Sequence, residues 1–434
     1  MVISQAVIFS HSGTMRVRRL CGHPLIARSI IAAARAGVRD FFVVCDEGAE
    51  QMQAFLAANR VLARQGCAVT CRDAADLKAE RFTDTFLLLS DTAVYKESVL
   101  ARLPGIDLAE SSCCLIVDMA GNVSDGQKAG AVWTGLALCR AHIFPKLLEA
   151  FIRSPDTGLT LIFDSRVSGY VPMTDGYAVD VRNKLAYKRA RRALLASVRK
   201  ASDGVVSRYL NRPISIRISR VCMVLGFSPN FISGVNLLLT LLSAALIALG
   251  GYWNFFWGGI LYQLTSIIDG SDGEVARLTW RMSQAGARFD TFCDQLGYFL
   301  FFIALPLGLC NSPREETAAY MLPELGSETF LVLGGGVLLG LACMFFVMLR
   351  YIRRTGSEHT FQIINDVEKA AQKTGGIALL DRCVSKMAFL FRHDFFALAA
   401  MVILMLNLAG AFMWFMAGVI WVLVVYLAWF AYRR

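Results

Sequence analysis

The chain has 434 residues, of which 56% are hydrophobic and 18% charged, and its formal net charge is +10. These proportions exclude intrinsic disorder, collagen-like repeats and an ordinary soluble enzyme, and they require that part of the chain be solvated by lipid. The basic balance admits nucleic acid, an anionic membrane surface or a phosphorylated substrate, and only its location along the chain chooses among them.

The first nine residues lack the basic start, long apolar stretch and small-residue cleavage site of a signal peptide, so the N-terminal part is expected to stay in the cytoplasm. Up to residue 187, short apolar runs at 7–9, 41–44, 69–71, 86–89 and 114–117 predict buried strands. Helical stretches such as 24–34 and 50–62 separate them. Strand and helix in alternation predict a doubly wound α/β domain over 1–187, a class that commonly binds nucleotides beyond the carboxyl ends of its strands. The twelve cysteines form no C-x-x-C pair and no zinc-like Cys/His block, and are expected to be reduced and mostly buried.

A basic amphipathic juxtamembrane linker is expected over 188–226. The stretch 182–220 holds twelve Lys/Arg against the single Asp203, a net +11, so the rest of the chain sums to −1. A collar of this kind suits anionic membrane lipids and phosphorylated substrates, and it removes nucleic acid from the expected partners.

From 227 to 434 the composition is that of a membrane domain. The run 231–268 holds no charge over 38 residues and would measure about 57 Å as one helix, nearly twice a hydrocarbon core, so it must fold back. The cluster Gly250-Gly251-Tyr252-Trp253-Asn254 is the natural turn. A second uncharged run of the same length, 395–432, breaks near Asn407-Leu408-Ala409-Gly410. With one span each at 295–310 and 329–349, six transmembrane helices are expected. Arg277, Arg281, Arg288, Arg350, Arg353, Arg354, Arg433 and Arg434 fall on one side, while Glu315, Glu316, Glu324 and Glu328 face the other with only Arg314. The positive-inside bias therefore predicts a multi-pass protein of the cell inner membrane with both termini and the active site cytoplasmic. The polar loop 351–394 is placed on the cytoplasmic side, with a short amphipathic helix at 361–372.

The junction of the second and third expected spans carries the chemistry. It contains Asp269, Asp272, Gly273, Ala276 and Arg277, then eight residues, then Gly286, Asp290 and Asp294. Asp269 and Asp272 are three apart and Asp290 and Asp294 four apart, so on helices each pair shares a face. Two such helix ends brought together make a four-carboxylate cage, and carboxylates at membrane depth are costly unless paired with cations. Hard divalent ions, Mg²⁺ or Mn²⁺, take oxygen ligands of this type. Gly273 and Gly286 leave room for a phosphate, Ala276 keeps the helix contact thin, and Arg277 can neutralise phosphate charge. A solvated acidic loop gives no reason for glycines and carboxylates in this register.

The block resembles the signature of the CDP-alcohol phosphotransferase family (Asp-x-x-Asp-Gly-x-x-Ala-Arg, eight residues, Gly-x-x-x-Asp-x-x-x-Asp), with all eight fixed positions present. The resemblance implies a six-helix enzyme that displaces CMP from a CDP-alcohol donor by the hydroxyl of an alcohol acceptor. It implies Asp269, Asp272 and Asp290 as metal ligands, with Asp290 bridging if there are two ions. Asp294 would be the general base at the edge of the metal site, and Gly273, Ala276, Arg277 and Gly286 would face the cytidine diphosphate part. Asn230 is either a helix N-cap of the first span or a phosphate or metal contact. Arg392, and with it Arg288, Arg353 and Arg354, either bind a phosphorylated acceptor or anchor the cytoplasmic side.

The first domain resembles the sugar-nucleotide transferase fold, most closely the inositol-1-phosphate cytidylyltransferase half of bifunctional di-myo-inositol phosphate phosphate synthases. The residues carrying this are Gly22, His23, Pro24, Leu25 and Ile26, Ala36-Gly37-Val38, Asp91, Thr134-Gly135 and Asp180. The resemblance implies Asp91 and Asp180 as metal ligands of that domain. Its triphosphate loop, at 9–19, is shortened and lacks the first glycine of the family's pattern. Such a loop presents fewer backbone N–H groups to a triphosphate, so a degenerate, scaffolding or regulatory domain is expected over an active cytidylyltransferase.

The expected fold is thus an α/β nucleotidyltransferase-like cytoplasmic domain followed by an all-α six-transmembrane-helix CDP-alcohol phosphotransferase domain over 227–434. The expected donor is CDP-inositol or CDP-diacylglycerol, with a phosphorylated acceptor of the inositol phosphate type, and the family implies a homodimer. A phospholipid synthase using CDP-diacylglycerol and a small polar alcohol is the alternative enzyme. A transporter would place charges near the bilayer midplane and show inverted repeats, and neither is visible here.

Overall fold

The computed structural model describes residues 3–11, 18–77, 85–105, 108, 113–118, 132–154, 169–172, 177–181, 183–199, 203–322, 324–355 and 392–433. The helix expected at 361–372 and most of the loop at 9–19 lie outside the described residues. The chain forms two compact units, one of Met1–Val198 with Leu278–Trp280 and one of Arg199–Arg277 with Arg281–Arg434.

The first unit is built on a seven-stranded sheet. In chain order its strands are β1 (Gln5–Ser10), β2 (Asp40–Cys45), β3 (Ala68–Asp73), β4 (Thr85–Ser90), β5 (Cys113–Asp118), β6 (Val132–Arg140) and β7 (Gly169–Pro172). Their spatial order is β7-β5-β6-β4-β1-β2-β3, with β6 antiparallel to both neighbours and all other pairings parallel. β1 shows why its sequence is continuously apolar. Ala6 and Ile8 face a core that includes helix α1 (Leu25–Arg35), whereas Val7 and Phe9 face the core containing helix α2 (Phe144–Arg153). A strand covered on both faces has no polar alternation to show. All five expected strands lie inside observed ones, but the helix expected at 50–62 breaks after Ala49–Ala57, where the Asn59 side chain accepts from Val61 N and Leu62 N at 3.1 and 3.3 Å. Strand β6 carries Gly135 at φ +81°, where an added Cβ would lie 2.8 Å from Ser90 Cβ, so glycine is needed there. Nine cysteines are free among the described residues, and burial pushes the Cys71 thiol up to about 12. Helix α3 (Lys184–Ser197), capped by the Asn183 side chain, ends the unit.

The second unit is helical: α4 (Arg212–Leu225), α5 (Pro229–Leu249), α6 (Tyr252–Leu278), α7 (Gln284–Asn311), α8 (Glu328–Thr355), α9 (His393–Met405) and α10 (Ala409–Arg433). Among the described residues four helices are long and apolar enough to cross a membrane: α5, α7, α8 over Glu328–Tyr351, and α10. Six spans were expected. Helix α6 has the length, at 27 residues, but its C-terminal third carries the acidic signature, and α9 has only 13 residues, about 20 Å of helix. Both expected turns are present. Gly250 and Gly251 have φ of +73° and +79° between α5 and α6, and Asn407 has φ +57° between α9 and α10. At Gly308 a Cβ would collide with the Ile247 carbonyl, so the close approach of α7 to α5 requires glycine there. Phe301 and Phe302 of α7, Phe396 of α9 and Phe412 of α10 form an aromatic centre for these helices.

Among the described residues of the first unit, the charged side chain of Arg28 is enclosed. Arg28 is 2% exposed, and its guanidinium donates to the Leu20 carbonyl and, at 2.7 and 3.2 Å, to the Leu278 carbonyl. It also lies 4.4 Å from the centre of the Trp280 ring, and Trp280 itself has φ +49° and donates to Glu97. Burial lowers the Arg28 pKa from its ordinary value. Replacing Arg28 by Ala would leave buried carbonyls unpaired and empty the space against the indole, so Arg28→Ala is expected to destabilise this unit by about 3 kcal/mol. Thermal melting of the purified full chain, followed by tryptophan fluorescence, measures that loss, and an unchanged melting curve would contradict it.

Candidate functional site

The signature occupies the end of α6 and the beginning of α7, two helices joined by a short connection. Helical spacing puts Asp269 and Asp272 on one face of α6 and Asp290 and Asp294 on one face of α7. The helices pair these residues crosswise: Asp269 contacts Asp294, and Asp272 contacts Asp290. Asp272 is 6% exposed and further held by the Ser233 hydroxyl of α5 and by the Gly273 backbone N–H, both donating to its carboxylate. The four expected carboxylates are therefore brought together. Their oxygens are the ligand type that Mg²⁺ and Mn²⁺ take.

A histidine joins the inner pair. His393, the first residue of α9, places a ring nitrogen so that it and one oxygen each of Asp269 and Asp294 lie within 4.8 Å of one another. The sequence expectation named Arg392 beside it but not His393. Asp394 fixes the start of this helix by accepting from the Ser207 backbone N–H at 2.9 Å.

The residues around the carboxylates leave space. A Cβ on Gly273 would lie 3.3 Å from Arg277 Nη1, so the glycine gives the guanidinium room along the helix. A Cβ on Gly286 would lie 2.9 Å from Ser283 Oγ and 3.5 Å from Asn230 Oδ1. Ser283 is the N-cap of α7 and accepts from Gly286 N. Asn230 is not the N-cap of the first span. Ser228 is, accepting from Phe231 N at 3.2 Å, with Pro229 at the first helical position. Asn230 is exposed and faces Gly286, which leaves the phosphate or metal contact as the alternative. Ala276 is half-buried on the signature helix.

The signature helix is fastened from behind by a buried ion network that the sequence pattern did not reveal. Glu274, fully buried, accepts from Arg212 Nη1 at 2.7 Å, Ser215 Oγ at 2.7 Å and Ser219 Oγ at 2.6 Å. Arg212 also binds Asp203 through two parallel hydrogen bonds of 2.9 and 2.8 Å. Burial works against the Arg212 charge, but the two carboxylates outweigh it and raise its pKa. One face of α4 is thus committed to α6.

The arginines expected either to bind the acceptor or to anchor the cytoplasmic side lie on the surface. Arg288, Arg353 and Arg354 are exposed, on the first turn of α7 and the last turn of α8. Arg392 is exposed too and lies 3.6 Å from Asp394. In the first unit, Asp91 accepts from Ser10 Oγ at 3.0 Å and Asp180 from Thr92 Oγ1 at 2.6 Å, both beyond the carboxyl ends of β1 and β4.

This helical unit, with its paired carboxylates, defines the class. Residues 227–429 match the CDP-alcohol phosphatidyltransferase family profile. The chain is 30% identical over 334 residues to a bifunctional IPC transferase and DIPP synthase of Thermococcus kodakarensis, covering 71% of this chain and 75% of that one. It is 39% identical over 142 residues to the protein of the same description from Archaeoglobus fulgidus, covering 32% of this chain and 27% of the relative. The first unit is similar to the inositol-1-phosphate CTP transferase from T. maritima, with TM-score 0.33 and 13% identity over 44% of this chain and 97% of that one. The chain belongs to the CDP-alcohol phosphatidyltransferase family and is a transferase of that kind.

Removing Arg212 would leave Glu274 charged, buried and without its cation, so Arg212→Met is expected to cost about 3–5 kcal/mol of stability. Glu274→Gln keeps the hydroxyl contacts and is expected to cost less than half of that. Melting temperatures of the two variants in detergent check the order, and equal losses would contradict it.

Proposed function

We propose that the protein is a multi-pass membrane enzyme whose six helices α5 to α10 all span the bilayer, with the carboxylates at the cytoplasmic edge. It moves a substituted phosphate from a CDP-alcohol of the CDP-inositol type to a phosphorylated alcohol acceptor of the inositol phosphate type, releasing CMP. The observation that carries this reading is the crosswise carboxylate pairing, which puts one residue of each helix into each pair. The similarity to bifunctional IPC transferases and DIPP synthases supports this reading.

In this reading Asp269, Asp272 and Asp290 hold Mg²⁺ or Mn²⁺, which when bound neutralises charge on the diphosphate and on the departing CMP. Ser233 fixes the rotamer of Asp272 for that task. Gly273, Ala276 and Gly286 leave the surface low enough for a diphosphate to approach, and Arg277 and Asn230 offer it hydrogen-bond donors. Asp294 takes the proton of the acceptor hydroxyl. That oxygen bonds to the phosphorus carrying the donor's alcohol, the bond from this phosphorus to the CMP oxygen breaks, and CMP leaves with the electron pair. The basic stretch 182–220 holds anionic lipids and draws phosphorylated substrates toward the membrane surface. The first unit serves as a scaffold, a reading supported by its shortened loop.

Mass spectrometry of products from purified protein given Mg²⁺, CDP-inositol and inositol 1-phosphate is expected to show a phosphodiester product and CMP. A product formed only from CDP-diacylglycerol and a small alcohol would overturn the donor assignment. Asp294→Asn is expected to lower turnover by about 10³-fold or more while CDP-donor binding largely survives. Wild-type rates in that variant would remove Asp294 as the base. With CTP and inositol 1-phosphate the full chain is expected to release no pyrophosphate, and release would refute the scaffold reading.

A further inference from the structure

The inner carboxylate pair has a second boundary, and its composition is not that of a metal cage. Tyr262 lies seven residues before Asp269 on α6 and Tyr298 four residues after Asp294 on α7, so each tyrosine shares a helix face with its aspartate, on the side away from the α6–α7 connection. The His393 ring sits edge-on to Tyr298, with centroids 5.7 Å apart, and 6.4 Å from Tyr262. Phe301 and Phe396 close the floor beneath them. Tyr262 is 2% exposed, and its hydroxyl has no hydrogen-bond partner among the described residues. A buried hydroxyl with no partner keeps an uncompensated desolvation penalty, which a polar ligand group would relieve.

We propose that His393 and Tyr262, beside Asp294, form the subsite that binds the acceptor's hydroxyl groups, and that it suits a small polyol rather than the glycerol of a lipid. This rests on the preceding reading of Asp294 as the base, which requires the attacking hydroxyl to sit within hydrogen-bond reach of it. That hydroxyl gives its hydrogen to Asp294 and accepts from the His393 ring. The Tyr262 hydroxyl takes a neighbouring hydroxyl of the same acceptor. The ring faces of Tyr262 and Tyr298 offer the C–H edges of a polyol an apolar wall. The chemistry of the outer pair, Asp272 with Asp290, is all oxygen, whereas the inner side offers a nitrogen and a phenol that a hard divalent ion does not select. Both recognition groups act on substrate position and add no bond-making step.

The test uses full-length protein in detergent with Mn²⁺, CDP-inositol as donor and myo-inositol 1-phosphate as acceptor, comparing wild type, His393→Asn and Tyr262→Phe. Each variant is expected to raise the acceptor KM about tenfold while the donor KM stays within about twofold. Direct Mn²⁺ binding, followed by electron paramagnetic resonance, is expected to stay within about twofold as well. Tyr262→Phe removes one oxygen and keeps the ring packing, so it tests the subsite even if His393→Asn folds poorly. An unchanged acceptor KM in Tyr262→Phe overturns the proposal, and so does a tenfold weaker Mn²⁺ affinity in His393→Asn, which would make the imidazole a metal ligand. Calorimetric binding of myo-inositol 1-phosphate in the presence of CMP separates this from the function assignment. A wild type that binds the acceptor but does not turn over, with binding lost in Tyr262→Phe, keeps the subsite and retires the donor assignment.

Discussion

Four carboxylates held face to face at the ends of two apolar helices repel one another and lose hydration, and the arrangement of the second unit follows from opposing both effects. Each pair combines one residue from α6 with one from α7, so neither helix carries the charge of a pair alone. Repulsion of this kind would rotate or separate the helices unless α6 were gripped elsewhere. The grip is the Glu274 network on its opposite side, where Arg212, Ser215 and Ser219 of α4 converge on one buried carboxylate. A hydrophobic contact would leave α6 free to turn by a few degrees about its axis, whereas directional hydrogen bonds from three donors do not. The fixed face is the one that displays Asp269 and Asp272, so the register of the site depends on a residue that touches none of its groups.

Much of this was legible in the sequence. Spacings of three and four residues are statements about a helix face, and the eight-residue spacer between Arg277 and Gly286 leaves little choice but an antiparallel pair. The uncharged runs with their Gly250-Gly251 and Asn407 breaks placed the turns, because chain reversal inside an apolar segment needs residues that accept positive φ. The cap of α5 was misplaced at Asn230, whereas Ser228 followed by Pro229 is the more direct N-cap signal and caps the helix. Glu274 was not legible as a structural residue, because acidic residues on signature helices look alike until their partners are known, and its cation lies 62 positions earlier. His393 was hidden for a similar reason. It opens a short helix 99 positions after Asp294, and no local pattern marks it as belonging to that carboxylate. Strand β6 escaped because Gly135 interrupts its apolar alternation for a reason of packing against Ser90 and Ala93 that only the assembled sheet reveals.

The division of the site into two sides follows from the same geometry. Toward the ends of α6 and α7 the surface is kept low by Gly273, Ala276 and Gly286, and its charged groups are Arg277 and the Asp272–Asp290 pair. In the proposed function a flexible, highly charged diphosphate would sit there, because backbone and small side chains let it approach while a cationic group balances it. Deeper, past Asp269 and Asp294, the walls become aromatic and the polar groups become single, directional donors and acceptors. A buried aromatic wall with isolated hydroxyl and imidazole groups discriminates by shape and hydrogen-bond count rather than by charge. Reaction requires the two substrates to meet at one phosphorus. Asp294, contacting Asp269 on one side and lying near His393 on the other, is the group at the seam between the two environments. If Asp294 is the base proposed above, it would meet a hydroxyl only after the deeper pocket had oriented it, and the order of the walls along α6 and α7 would select the acceptor before chemistry begins.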